Sequence, residues 1–167
     1  MHVSLEACDA MGDDALAFAI GKRLAALRPE LLARAVFPSV TELMALLQTA
    51  AQLARNEAPG NEAHAFERAL HATMTREERH ALRGALKAAH AQSAPFDVAR
   101  WSQLTDVSGA RVGLLLAGTL EAARRVIANE PTAPGDLPPR EKLGELLVFA
   151  VSDEYADLRV AIGIAVQ

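Results

Sequence analysis

Ser39-Val40-Thr41-Glu42-Leu43 begins a helical pattern that continues to about Asn56 and marks the chain as α-helical. A serine followed three residues later by a glutamate is a capping box. The Ser oxygen accepts the orphan amide of the third helical residue, and the Glu carboxylate returns a bond to the serine amide. Behind the box, Val40, Leu43, Leu47, Ala50 and Leu53 recur at steps of three and four, the period of one helix face. Thr75-Arg76-Glu77-Glu78 repeats the device and opens a second helix to about Ala91.

Working outward, the same signals punctuate the whole chain. A helix is expected from Asp13, as cap, to Arg28, with Leu16, Ile20, Leu24 and Leu27 as its inward face. Pro29 suits the first turn of a short helix over Glu30 to Val36, which Pro38 ends. Ala58-Pro59-Gly60-Asn61 is a turn, followed by a helix from Glu62 to Thr73. A long helical pattern runs from Asp97 to Gly118 through Trp101, Leu104, Val107, Val112 and Leu115-Leu116. Within it Gly109 and Gly113 lie one turn apart and present a shallow groove. Thr119 caps a helix to Asn129, and Glu130 to Pro139 is a loop with four prolines and a glycine. Two helices close the chain, Arg140 to Val151 and Asp153 to Ala165 after the capping Ser152. The first is apolar over most of its circumference (Leu143, Leu146, Leu147, Phe149 to Val151), as a central buried helix would be. The second repeats Leu158, Ile162 and Val166, and the pair is expected to pack on the long helix. His2-Val3-Ser4-Leu5 reads as a short strand already under way at Met1, which is how a fragment of a longer protein would begin.

Composition agrees with this reading. The 167 residues include 35 Ala and 23 Leu against 5 Phe, 1 Trp and 1 Tyr. Strong helix formers abound and strand formers are sparse. The expectation is an all-α protein, an irregular bundle of about eight or nine helices in a single domain over residues 1–167. Helix lengths vary and no fixed period recurs, so a regular helical-repeat array is not supported.

Charge and cysteine content narrow the function classes. The formal charge is −4, with Lys+Arg 17 and Asp+Glu 21 interspersed. No strong field arises to steer nucleic acid, and runs such as Arg76-Glu77-Glu78-Arg79 read as solvated helix faces. Aromatic residues are too few for a base-stacking platform. Cys8 is the single cysteine, which excludes an internal disulfide and fits a reducing, cytoplasmic compartment. The apolar runs fall well short of the ~20 residues that span a bilayer.

The chemistries tested are mostly refused. His64 and His71 stand seven apart, about 10 Å along a helix axis, so a His64-Glu67-His71 zinc triplet is strained. Cys8 has no histidine near it in sequence and reads as a small apolar residue. Ser108-Gly109 lies within a helix and lacks the strand-to-helix context of a nucleophile elbow. No glycine-rich phosphate loop occurs. No cofactor is expected.

Two segments carry a resemblance. Met11-Gly12-Asp13-Asp14-Ala15-Leu16-Ala17-Phe18-Ala19-Ile20-Gly21-Lys22-Arg23-Leu24-Ala25-Ala26, with His2 to Leu5 before it, resembles the strand, acidic turn and active-site helix of the HtpX-like zinc metallopeptidases. Thr105-Asp106-Val107-Ser108-Gly109-Ala110-Arg111-Val112-Gly113 is similar to that family's later helix. The resemblance sets Lys22 where the first His ligand would stand, Arg23 at the catalytic Glu and Ala26 at the second His. It sets Asp106 at the third ligand and Ala110 at the supporting Asp. Zinc needs neutral imidazole or anionic donors, so the likeness implies a core that has lost its metal. It further implies that the two helices pack together, with Lys22 or Arg23 paired to Asp106. Phe96-Asp97-Val98-Ala99-Arg100-Trp101, Gly113 to Gly118 and Glu145 to Asp153 resemble the C-terminal region of large bacterial tetratricopeptide-repeat proteins. Together these imply a non-catalytic domain acting through contact with another protein or with the rest of its parent chain. A metal-dependent hydrolase with an unrecognised site and a cap on a helical repeat array are the alternatives.

Overall fold

The computed structural model describes residues 11–57, 65–91 and 96–164. Among them are nine helices and no strand: α1 (Asp13–Ala25), α2 (Pro29–Val36), α3 (Val40–Ala54), α4 (Ala65–Thr73), α5 (Arg76–His90), α6 (Val98–Ala117), α7 (Leu120–Ala128), α8 (Pro139–Ala150) and α9 (Asp153–Ala161). This is the all-α irregular bundle that the composition predicts. The strand expected at His2 to Leu5 lies outside the described residues, as do Cys8, His64 and Val166.

Both capping boxes form. The Ser39 hydroxyl accepts from the Glu42 amide at 3.2 Å, and the Glu42 carboxylate accepts from the Ser39 amide at 3.0 Å. Thr75 and Glu78 do the same at 3.2 and 2.7 Å. Thr119 and Ser152 cap α7 and α9 through the amides of Ala122 and Tyr155. At α1 the cap is Gly12, not Asp13; Asp13 and Asp14 instead lie in the first turn, where negative charge suits the amide end of the helix. No described helix is long and apolar enough to cross a membrane.

The chain divides into two compact units: Met1–Pro38 with Ala99–Gln167, and Ser39–Val98. In the first, the core gathers Phe18 of α1, Ala110, Leu114 and Leu115 of α6, Ala122 and Ile127 of α7, and Leu146 and Phe149 of α8. Its geometry is set by a close crossing of α1 on α6. A Cβ built on Gly113 would stand 2.6 Å from the Phe18 carbonyl oxygen; one on Gly21 would stand 2.9 Å from the Val112 oxygen and 3.0 Å from the Gly113 Cα. The glycine groove of α6 is therefore present, and α1 fills it.

That crossing overturns the face expected for α1. Ala15, Phe18, Gly21 and Ala25 point inward, whereas Ile20, Leu24 and Leu27 are exposed. Leucines at the crossing would hold the backbones apart, so α1 turns Ala15, Gly21 and Ala25 inward with Phe18 packed beside Gly113, and leaves Ile20 and Leu24 to solvent. The C-terminal pair docks as expected: Leu146 and Phe149 join the core, and the Arg159 guanidinium donates to the Leu115 carbonyl at 3.0 Å. The Phe149 and Tyr155 rings meet edge to face with centroids 5.3 Å apart. The expectation that α8 is a central helix, apolar and buried over most of its circumference, is wrong, since Leu147, Val148 and Val151 are exposed, Val151 at 78%. Lys142, Leu146 and Phe149 are buried, and Leu143 and Ala150 pack half-buried against the core. In α9 no residue is buried, and Leu158 and Ile162 are exposed, so Tyr155 and Arg159 anchor it instead.

The second unit comprises α3, α4 and α5. Leu43, Thr49, Leu53 and Ala54 of α3 are buried, while α4 and α5 bury no residue. Two arginines of α5 close the carbonyl ends of the other helices. Arg83 donates to the Ala54 oxygen at 2.7 Å, and Arg79 donates to the Met74 and His71 oxygens. A cation at a helix C-terminus satisfies orphan carbonyls and opposes the dipole.

Candidate functional site

Lys22 sits on the inward side of α1, one residue past the Gly21 crossing, and Asp106 lies on α6 one turn before Gly109–Ala110. The crossing brings them together: Lys22 Nζ is 2.7 Å from Asp106 Oδ1. Gly109 makes room for the lysine stem, since a Cβ there would lie 3.4 Å from Lys22 Cγ. The expected Lys22–Asp106 ion pair is thus present.

Two further residues complete a quartet. Lys22 Nζ also donates to both Glu130 carboxylate oxygens at 2.7 Å. Lys142 Nζ lies 2.5 Å from Asp106 Oδ2 and 3.1 Å from Glu130 Oε2. Each ammonium therefore touches both carboxylates, and the formal charges cancel. The side chains are 8 to 23% exposed, with Lys142 the most enclosed.

Burial alone would raise the Asp106 pKa, but the charges and hydrogen bonds of Lys22 and Lys142 outweigh it and hold the carboxyl below its ordinary value. For Lys142, burial works to lower the pKa; hydrogen bonding and attraction from Asp106, with Glu130 adding to both, win and raise it. Both groups are consequently charged at neutral pH. Desolvation of such ions costs several kcal/mol each, and mutual pairing offsets it only when every charge has a partner. Here every charge has two.

Sequence reasoning found Lys22 and Asp106 but missed Glu130 and Lys142. The signal for Lys142 was its spacing: it stands four and seven residues before Leu146 and Phe149, so it shares their buried stripe. Glu130 had no such signal, because it follows α7 in the proline-rich loop. That loop is held in place: Arg34 pairs with Asp136 at 2.7 Å, and Gln103 donates to the Gly135 oxygen at 2.9 Å.

The other positions singled out in sequence do not join the quartet. Arg23 is exposed, Ala26 is half-buried, and Ala110 is fully buried in the core. Ser108 is exposed and donates to the Leu104 carbonyl one turn earlier, an ordinary helix back-bond. Of the His64-Glu67-His71 triplet, His64 lies outside the described residues, and His71 Nε2 is buried with no hydrogen-bond partner among the described residues. Among the described residues no three His, Cys, Asp or Glu side chains converge as a metal site.

No family model, curated protein or solved structure matches the chain.

Proposed function

We propose that this chain is a non-catalytic helical module, a pseudo-metallopeptidase core that works by contact with another protein or with other parts of its parent chain in the cytoplasm. The observation that carries this reading is the quartet. At a place where hydrolytic chemistry would need free anionic donors, Asp106 and Glu130 are each held by two ammonium groups. A divalent cation would have to displace both lysines, and the raised pKa of Lys142 keeps that ammonium charged at neutral pH.

The contact half of the proposal draws support from α1. Ile20 and Leu24 lie one turn apart on α1, Leu27 follows in the turn after it, and all three are exposed. Neighbouring exposed apolar residues suit a protein partner better than solvent.

Two measurements test the proposal. Elemental analysis of the purified protein should find no stoichiometric zinc, and peptide substrates should remain uncut; about one zinc per chain with removable activity would overturn it. A photo-crosslinking residue at Leu24, introduced in the native cell, should capture one predominant protein or the parent chain itself. Crosslinks scattered over abundant proteins, equal to those from Arg124, would refute the contact surface.

A further inference from the structure

Helix α5 carries a second arrangement that the quartet does not touch. A helix turns about 100° per residue, so Arg76, Arg79, His80 and Arg83 fall within one arc of about 100°. Glu77 lies about 60° beyond that arc's edge and Glu78 farther round. The sequence run Arg76-Glu77-Glu78-Arg79 reads as a balanced, solvated face; in the fold its acids and bases separate. Glu78 is spent in the capping box with Thr75. Elsewhere in the described residues, Arg28, Arg34, Arg55, Arg111, Arg124 and Arg125 each pair with a carboxylate. Among the described residues Arg76, Arg79 and Arg83 have no such pair.

These four cationic or donor side chains, with Asn56, line a cleft of about 460 Å³. That volume lies in the range of small-molecule sites, roughly 300–1,000 Å³. Two of the guanidinium groups are already oriented. Arg83 is pinned through Nε to the Ala54 oxygen, leaving its outer nitrogens open, and Arg79 is pinned to the Met74 and His71 oxygens. Neutral carbonyls fix their direction without cancelling their charge. Asn56 reaches the cleft from the end of α3, where its φ of 57° turns the chain in the left-handed region.

We propose that this cleft binds a phosphate-bearing small anion, with pyrophosphate-type groups the best match. Guanidinium forks suit phosphate oxygens because they offer parallel donors and a charge that is never lost. Three of them around one cleft call for a ligand with more than one negative charge. The cleft is bounded off the helix by Asn56, and Lys87 and His90, farther along the same stripe of α5, do not line it. A concave site of this kind fits a compact anion better than a polymer, and the net charge of −4 also opposes a nucleic-acid surface.

The test is calorimetric titration of the full chain, in chloride buffer, with inorganic phosphate, pyrophosphate, a nucleoside triphosphate and a single-stranded oligonucleotide in separate arms. Arg76→Glu is the informative variant, because the Arg76 side chain has no hydrogen-bond partner among the described residues and an acid is welcome in the first helical turn. Arg124→Glu, on another unit, is the control. The expected result is saturable one-to-one binding of pyrophosphate, stronger than that of inorganic phosphate. Arg76→Glu should weaken it roughly tenfold or more, as the loss of a charge-assisted bond does, and Arg124→Glu should leave it unchanged. Tighter binding of the triphosphate than of pyrophosphate would assign the source as a nucleotide; equal binding would assign a free polyphosphate. Absence of saturable binding in all arms, equal weakening by both variants, or tighter binding of a single-stranded oligonucleotide at the same residues would overturn the proposal. None of these outcomes depends on the quartet or on a protein partner.

Discussion

Gly113→Ala separates packing from propensity at a single atom. In an open helix the change would stabilise by about 1 kcal/mol, because alanine has less backbone freedom to lose. Here the added methyl would stand 2.6 Å from the Phe18 carbonyl oxygen and 3.0 and 3.1 Å from the Phe18 ring. The nearest atom belongs to backbone, so no rotamer change relieves the clash and α1 must retreat by several tenths of an ångström. Overpacking of this kind costs about 1–3 kcal/mol, and α1 carries both Phe18 and Lys22, so the core and the quartet loosen together. We expect a net destabilisation of about 1–2 kcal/mol after the propensity gain. Gly144→Ala is the matched control in the same unit: it lies within α8, a Cβ there meets nothing within 4 Å, and it should stabilise by roughly 0.5–1 kcal/mol. Urea unfolding of the three proteins, followed by circular dichroism, reads both signs. Gly113→Ala at least as stable as the parent, or both variants shifting the same way, would refute the crossing.

Other outcomes follow from the same packing. Asp106 has a depressed folded pKa, so its stabilisation is present above the ordinary carboxylate range near about 3.9 and is lost as pH falls through the depressed value; Asp106→Asn should therefore flatten the acid limb of a stability–pH curve, and an unchanged limb would count against the quartet. Ser102 is 1% exposed and its hydroxyl has no partner among the described residues, so Ser102→Ala should raise stability by about 0.5–1.5 kcal/mol in denaturant titration, and a loss would contradict the packing there. Thr75→Ala removes the cap of α5 and should cost about 1 kcal/mol, read as faster amide exchange in its first turn. Leu24→Asp should change stability by less than about 0.5 kcal/mol, since that residue is 55% exposed; a large drop would restore the leucine face that periodicity suggested.

Helix starts were legible because they depend on residues a few positions apart. Ser39 with Glu42, Thr75 with Glu78, Thr119 and Ser152 all cap where spacing put them. The inward side of α1 was not legible, because that helix has apolar residues on two faces and periodicity does not say which is covered. The answer rests on Gly109 and Gly113, some ninety residues later in the chain, whose groove takes the backbone of α1 at Phe18 and the stem of Lys22. In the candidate site, Lys22 and Asp106 were found together through a resemblance, whereas Glu130 depends on how the proline-rich loop returns. The basic cleft was hidden by averaging: a run of alternating acids and bases looks neutral until the helix rotates its members apart.

The glycine crossing has a consequence for how the quartet can change over time. Because Gly21 and Gly113 set α1 against α6 by steric contact, the backbones that carry Lys22 and Asp106 are brought together by packing as well as by the ion pair. The frame is mechanical and the charges are its cargo. A lineage can exchange the cargo, in steps that keep opposite charges matched, without first inventing a new way to hold the two helices together.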